Sequence, residues 1–164
     1  MSVLVAGIGN VFLGDDAFGV EVVQRLARGP LPEWVRVVDF GIRGYDLAYA
    51  LMAREHEGAV LVDLLPAGEA PGTLRVIEPE LDPDAPVELD AHGMEPVKVL
   101  ALVRALGGEP GVIRVVGCES ERRDGDEDDM ALGLSARVAA AVEPAMQLVL
   151  DVAASLRAER PRHA

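Results

Sequence analysis

The chain alternates short apolar segments with longer amphipathic ones. Apolar segments predict strands at residues 3–6, 35–40, 59–63 and 112–116. The stretches between and after them predict helices at residues 20–26, 44–52, 96–106 and 138 to about 156. Strands that alternate with helices are typical of a parallel sheet with helices on both faces. The pattern therefore predicts an α/β fold.

One further strand breaks this alternation. Residues 73–77 alternate apolar and polar side chains, as in a strand covered on one face only. Only residues 64–72 separate them from the third strand, and a parallel crossover takes a dozen or more residues. We therefore expect this fourth strand to run antiparallel at an edge, which makes the five-stranded sheet mixed.

A long Pro-rich, acidic segment follows the fourth strand. Residues 78–93 have no hydrophobic period, and loops of this length inside a compact domain are often functional. An antiparallel fourth strand ends at the amino edge of the sheet, whereas the helix from residue 96 must start at the carboxyl edge. The segment therefore has to cross the sheet, and it delivers His92 to the carboxyl edge.

Composition limits the classes of protein that fit. The 164 residues suffice for one domain, which we expect at residues 1–156, with 157–164 as a frayed tail. The 15 basic and 28 acidic residues give a net charge of −13, which argues against a nucleic-acid surface. No apolar stretch approaches the roughly 20 residues of a membrane helix, and no basic, apolar leader is evident. We expect a cytoplasmic protein without a membrane partner.

Two residues that often carry chemistry have ordinary explanations here. Cys118 is the single cysteine, so neither an internal disulfide nor a cysteine-based zinc cluster can form, and we expect it to pack at the end of the fifth strand. His56 stands between Glu55 and Glu57 in what the pattern predicts to be a solvated turn, and we assign it no role.

Polar side chains gather where the predicted strands end. Sites in open α/β sheets lie at the carboxyl ends of the strands. That edge should receive four carboxylates, an amide and an imidazole, and like charges so close together need a cation or protons between them. The residues are Asn10, Asp15, Asp16, Asp39, Asp63 and His92.

Two familiar motifs fit poorly. Gly7-x-Gly9 begins like a dinucleotide-binding loop, but Phe12 occupies the position of the third glycine. Residues 124–129 alternate aspartates like the start of a calcium-binding EF-hand loop. However, the required glycine is replaced by Asp129 and the required glutamate by Ser135. A solvated acidic loop, followed by Ser135 as the N-cap of the last helix, explains this segment better.

A divalent metal held by carboxylates and His92 remains as the third possibility. Imidazole with carboxylate oxygens suits nickel, zinc, iron or manganese, and three ligands leave positions open for water or substrate. Asp15 and Asp16 are adjacent, so only one of them can cap the first helix, and we expect Asp15 to be the cap and Asp16 the ligand. Asp39 fits a chemical role and a helix cap equally well.

These residues, taken in order, resemble a known family. Their order is similar to that found in the hydrogenase maturation endopeptidases. The residues that carry the resemblance are Gly7-Ile8-Gly9-Asn10, Asp15-Asp16, Gly19, Asp39, Gly41, Gly44, Asp63, His92-Gly93 and Gly133-Leu134-Ser135. The resemblance implies a three-layer α/β/α sandwich of phosphorylase/hydrolase-like type. It also implies a protease that removes the C-terminal extension of the large-subunit precursor of a nickel–iron hydrogenase after nickel insertion.

The resemblance also implies roles for individual residues. Metal contacts fall to Asp16, Asp63 and His92, and Asp39 matches an aspartate implicated in cleavage, with Asp16 as the second candidate catalytic carboxylate. The metal would be the nickel held by the substrate, although zinc or cadmium could occupy the same position. Many relatives carry glutamate where this chain has Asp16. Further residues expected to contact the substrate are Gly9, Asn10, Gly41 and Arg43.

Two other functions remain open at this point. The same three ligands could serve a non-catalytic nickel chaperone or docking factor, or the protein could be a peptidase of the same fold with another protein substrate. We expect Gly7 and Gly9 to let the backbone approach the bound segment. The acidic surface offers no evident apolar patch, which favours a monomer.

Overall fold

The computed structural model describes residues 1–82, 84, 95–121 and 132–159. The elements follow the predicted order, with most boundaries within two or three residues of those expected. The strands are β1 (Ser2–Ile8), β2 (Val35–Gly41), β3 (His56–Leu64), β4 (Leu74–Ile77) and β5 (Ile113–Cys118). The helices are α1 (Phe18–Arg28), α2 (Gly44–Met52), α3 (Pro96–Ala105) and α4 (Ala136–Glu159), with a short 3-10 helix at Gly14–Ala17.

The five strands form one mixed sheet in the order β2-β1-β3-β5-β4. β1 pairs in parallel with β2 and β3, and β3 pairs in parallel with β5. β4 pairs antiparallel with β5 and lies at the edge, so the prediction made from the short preceding link is confirmed. β2 forms the opposite edge.

Helices cover both faces of the sheet and create two cores. On one face, α1 and α4 pack on alternate residues of the central strands, such as Val3, Val5, Val60 and Val62. On the other face, α2 and α3 pack on the intervening residues, such as Leu4 and Leu61. The predicted α/β/α sandwich with a five-stranded mixed sheet is confirmed.

The last helix is longer than its sequence pattern indicated. α4 begins at Ala136, contains Pro144, and continues to Glu159. Arg157 therefore belongs to the helix rather than to a frayed tail. Its guanidinium lies over the Trp34 ring, 5.0 Å from the ring centre, and its Nε lies 3.7 Å from the Glu57 carboxylate. Residues 160–164 of the predicted tail lie outside the described residues.

By length and hydropathy alone, α4 could cross a membrane, and it is the single helix of the described residues that passes this test. One side of it, including Val138, Val142 and Val149, is buried in the core beneath α1 and the sheet. This packing identifies α4 as a core helix.

Candidate functional site

The candidate site is built at the carboxyl edge of β1, β2 and β3, where the sequence placed it. After β1, the chain turns into the short 3-10 helix that carries Asp15 and Asp16. Gly9 makes this turn possible: its φ is +150°, and a Cβ there would lie 1.8 Å from the Asp16 carbonyl oxygen. Gly19 lets α1 begin directly against the sheet, since a Cβ there would meet the carbonyl oxygens of Val62 and Ile8 at 2.1 and 2.4 Å. The groups packed closely against Gly9 and Gly19 are therefore carbonyls of the protein's own backbone.

Asp63 is the most unusual side chain at this edge. It follows a run of buried residues in β3 and is only 6% exposed. Its Oδ1 accepts a hydrogen bond from the Leu64 amide at 2.8 Å. Burial raises the pKa of Asp63 well above its ordinary value, and the negative charges of Asp16 and Glu95 raise it further. An ionised Asp63 would therefore be stabilised by a cation.

Asp16 lies close enough to Asp63 for their charges to interact. It is half-buried, and its Oδ2 accepts a hydrogen bond from the Asn10 amide at 2.8 Å. Burial raises the pKa of Asp16, although this hydrogen bond opposes the shift. The two carboxylates that were predicted as metal ligands are thus brought together, and their oxygen atoms suit a divalent metal.

The third predicted ligand, His92, lies outside the described residues. Glu95, the residue just before α3, interacts electrostatically with Asp63. Within the described part of the chain, three or more metal-ligating side chains do not come together. The described residues therefore supply a pair of candidate ligands.

Asp39 belongs to a different part of the edge. Side chains alternate along a strand, so Asp39 shares the face of Val35 and Val37, whereas Asp63 shares the opposite face with Leu61. The Oδ2 of Asp39 accepts a hydrogen bond from Gln24 Nε2 of α1 at 3.1 Å. The structure thus sets Asp39 apart from the Asp16–Asp63 pair, and its contact with α1 is through a side chain rather than through a helix N-terminus.

Arg43 folds back on the turn that follows β2. Its Nη2 donates to the Asp39 carbonyl at 2.5 Å, its Nε donates to the Phe40 carbonyl at 3.3 Å, and its Nη1 pairs with Asp46 at 3.2 Å. Gly41 adopts a φ of +53° in this turn, and its carbonyl accepts a hydrogen bond from the Gly9 amide. Arg43 therefore holds the turn that carries Asp39 instead of reaching the Asp16–Asp63 pair.

Asp15 does not cap α1, contrary to expectation. It is only 1% exposed, and its carboxylate accepts hydrogen bonds from the amide and the hydroxyl of Ser135 at 2.7 and 2.9 Å. The Ser120 hydroxyl and the Glu121 amide donate to it as well, at 3.2 and 3.1 Å. The prediction was wrong because the partners of Asp15 lie more than 100 residues away in the chain, where local capping rules do not apply.

Two further residues were missed or misplaced by the sequence pattern, and a third lies where it was expected. Glu119 is buried, and its Oε2 accepts a hydrogen bond from the Ala67 amide at 2.9 Å, which fixes the link after β3. His56 lies in β3 rather than in a solvated turn, because strand pairing with Ser2 brings Nδ1 to 2.8 Å from the Ser2 hydroxyl. Cys118 is buried at the end of β5 as predicted; burial raises its pKa to about 11, so it stays a thiol.

Exposed apolar side chains surround the candidate site. Phe12 is 58% exposed, and its neighbours Val11 and Leu13 are exposed as well. Ile42 is exposed on the next loop along the same edge. Because the Gly9–Gly41 hydrogen bond joins these two loops, the edge presents an apolar surface suited to contact with another protein.

Comparison with known proteins gives consistent matches. A family described as hydrogenase maturation protease matches residues 20–152. The hydrogenase 2 maturation protease of Escherichia coli is 31% identical over 153 residues, which are 92% of this chain and 89% of the relative. The solved structure of the hydrogenase maturating endopeptidase HybD from the same organism matches with a TM-score of 0.70 at 29% identity, over 96% of this chain and 93% of that one. A hydrogenase 2 maturation peptidase from a Thaumarchaeota archaeon matches with a TM-score of 0.67, also at 29% identity, over 93% of this chain and 97% of that one.

Proposed function

Because the chain belongs to the hydrogenase maturation protease family, we propose that it removes the C-terminal extension of a hydrogenase precursor. The substrate is the large-subunit precursor of a nickel–iron hydrogenase, and cleavage follows the insertion of nickel. The enzyme recognises the nickel that the substrate already holds.

The pair formed by the half-buried Asp16 and the buried Asp63 is the observation that carries this proposal. Two carboxylates whose pKa values are raised by burial, and which repel each other when ionised, favour a cation beside them. A precursor loaded with metal supplies that cation, whereas an empty precursor does not. Binding through the substrate's nickel therefore discriminates between the two by electrostatics.

We assign His92 as the third metal contact on sequence grounds. It precedes Glu95 by three residues, and Glu95 is close enough to Asp63 to influence its pKa. An imidazole added to two carboxylates gives a ligand set that suits nickel and also zinc or cadmium. The remaining positions around the metal stay with the substrate.

Cleavage needs a base that activates water, and the chain offers two candidates. Asp39 is half-buried on the edge strand β2. Gln24 donates a hydrogen bond to its carboxylate, and Arg43 donates one to its backbone carbonyl. Asp16 is the alternative base beside the metal. In either case, the carboxylate takes a proton from the water that attacks the scissile carbonyl. Gly9, Asn10, Gly41 and Arg43 shape the two loops that contact the peptide on either side.

The test compares precursors with and without nickel. The purified protein is incubated with each precursor, and loss of the C-terminal extension is followed by mass spectrometry. The proposal requires cleavage of the nickel-loaded precursor at a rate at least about 100-fold above that of the empty one, a margin typical of a buried charge interaction. Equal rates would overturn recognition through the metal.

A variant at Asp39 distinguishes a protease from a nickel chaperone. Asp39→Asn preserves the size and the Gln24 contact of the side chain but removes the base. If the protein is a protease that uses Asp39, the variant keeps its affinity for the nickel-loaded precursor and loses cleavage. If the protein is a chaperone, the variant still supports maturation. If Asp39→Asn cleaves normally, the base is not Asp39 and is assigned to Asp16.

The surroundings of the site fit a large protein substrate. The exposed side chains of Val11, Phe12, Leu13 and Ile42 lie where the body of a folded precursor would contact the enzyme. We propose that the enzyme acts as a monomer in the cytoplasm, with these side chains covered only while the precursor is bound.

A further inference from the structure

A second concave region lies along the edge strand β2, on the face opposite Asp39. It is a cavity of about 610 Å³. Its lining includes Arg36, Val38 and Phe40, which alternate along β2 and so point to the same face of the sheet. Leu4 of β1 and Ala50 of α2 complete an apolar floor. We call this region the β2 groove.

One end of the β2 groove carries cationic side chains. Arg36 and Arg157 line it at the amino edge of the sheet, beside His56, whose pKa is lowered by burial so that it adds no charge at neutral pH. Arg157 stacks on Trp34 and pairs with Glu57 at 3.7 Å, and Arg36 is anchored by donating to the carbonyls of Glu33 and Val35. In a chain with a net charge of −13, two fixed arginines in one groove mark a place for an anion.

Acidic and basic side chains are mixed at this end of the groove, which limits the kinds of anion that it can bind. Glu33 and Glu55 line the same end as the arginines. A polyanion such as a phosphate chain would be repelled by these carboxylates, whereas one carboxylate can be received by a planar guanidinium. The apolar floor next to it suits a side chain of moderate size. Together these features fit the C-terminus of a peptide.

The other end of the groove reaches the candidate active site. Phe40 lies there, with the guanidinium of Arg43 5.8 Å from the centre of its ring. The same guanidinium donates to the carbonyl of Asp39. From Phe40 to Arg36 the strand spans about 13 Å, the length of roughly four extended residues. A peptide that passes the Asp39 turn can therefore continue along the groove to the arginines.

We infer that the β2 groove binds the end of the substrate's C-terminal extension, with its terminal carboxylate at Arg36 and Arg157. The inference rests on the proposed function, because it assumes a substrate that is cut close to its C-terminus. The extension runs antiparallel to β2, from Phe40 towards Arg36, with its last four or so residues in the groove. The groove thus adds a check on the free C-terminus to the check on the metal.

Two precursors test this inference. One is the nickel-loaded large-subunit precursor of the same organism, and the other is the same protein with eight Gly and Ser residues added after its last residue. The wild-type enzyme should process the lengthened precursor with a KM about tenfold higher and a kcat within twofold, because the carboxylate no longer reaches the arginines. Arg36→Gln should raise the KM for the native precursor by a similar factor and remove the difference between the two precursors.

Two further variants keep the result interpretable. Arg28→Gln removes an exposed arginine from α1, outside the groove, and should behave as the wild type. Val38→Glu places a carboxylate at an exposed position on the groove floor, where the fold tolerates it, and should raise the KM for the native precursor. Thermal unfolding confirms that each variant is folded.

The outcomes separate the two proposals. If the wild type processes both precursors equally and Arg36→Gln and Val38→Glu change nothing, the groove is not the binding site for the extension, while the proposed protease function stands. If the wild type fails to process the nickel-loaded native precursor, both proposals are overturned.

Discussion

Asp15 and Ser135 are joined by two hydrogen bonds although 120 residues separate them in the chain. The bonds connect the turn that precedes α1 to the residue that precedes α4. The adjacent Asp16 faces the candidate site instead, so one of the two neighbouring aspartates holds the fold and the other is available for chemistry.

Removing the Asp15 carboxylate should therefore cost stability. Asp15→Ala removes a buried carboxylate and leaves the amides of Ser135 and Glu121 without their acceptor, and we expect a loss of about 2–4 kcal/mol in the free energy of unfolding. Urea denaturation measures it. Asp151→Ala, at an exposed position on α4, is the matched control and should cost less than about 1 kcal/mol. Equal losses in the two variants would contradict a structural role for Asp15.

Asp63 should show the opposite behaviour, because its charge is unfavourable in the folded state. Its pKa is raised on folding, so stability is greatest below the ordinary value of 3.8 and is lost as the pH rises through the folded pKa. Asp63→Asn keeps the acceptor for the Leu64 amide and removes the charge. We expect the metal-free variant to melt a few degrees higher than the wild type at pH 7.5, with a smaller difference at pH 4, and to lose processing activity. A lower Tm at pH 7.5 would show that the charge is compensated.

His56 should contribute a stability change of the other sign on acidification. Its pKa is lowered from 6.5, mainly by burial and further by Arg36, while Glu55 opposes the shift. The unfolded chain then binds a proton more readily than the folded one, so stability is lost as the pH falls below about 6.5. Tm measured at pH 7.5 and 5.5 should fall less in His56→Gln than in the wild type. An identical fall in both proteins would exclude His56 as a contributor.

Phe12 should matter for substrate binding and little for folding. Its side chain is largely exposed beside the candidate site, so Phe12→Ser removes apolar contact area that only the precursor would cover. We expect the KM for the nickel-loaded precursor to rise about 5- to 20-fold with kcat nearly unchanged. Leu106→Ser, at an exposed apolar position at the end of α3, is the control. Similar KM values for Phe12→Ser and the wild type would place the contact surface elsewhere.

Gly9 should not accept a side chain. A Cβ would overlap the Asp16 carbonyl oxygen, and a φ of +150° disfavours any residue other than glycine. We expect Gly9→Ala to displace Asp16 and to lower the rate of processing at least tenfold, together with a loss of stability. Gly68→Ala is an informative comparison, because its φ is also positive but nothing lies within 4 Å of its Cβ position. A fully active Gly9→Ala would mean that the turn adapts.

Much of this arrangement could be predicted from local rules. The short link after β3 was enough to predict an antiparallel β4, because a parallel crossover does not fit in nine residues. The run of apolar residues before Asp63 placed that carboxylate, buried, at the carboxyl edge. Both arguments depend on geometry within a few residues.

The predictions that were wrong involved partners distant in sequence. Asp15 was expected to cap the helix next to it, but its partners lie in the segment after β5 and at the residue before α4. His56 was expected in a turn, but pairing with β1 extends β3 to include it. Arg157 was expected in a frayed end, but α4 continues to Glu159 and Arg157 stacks on Trp34. Periodicity reports on local structure, and none of these contacts leaves a local pattern.

The position of β5 has a consequence for how the chain folds during synthesis. β3 and β4 are consecutive in sequence but not neighbours, because β5 lies between them and pairs with both. Until residues 113–118 leave the ribosome, β3 has an open edge and β4 has no strand to pair with. Nascent chains that stop before β5 therefore expose an unpaired, strongly apolar strand, which is a template for aggregation. A chaperone that binds this intermediate should release it only after β5 has been made.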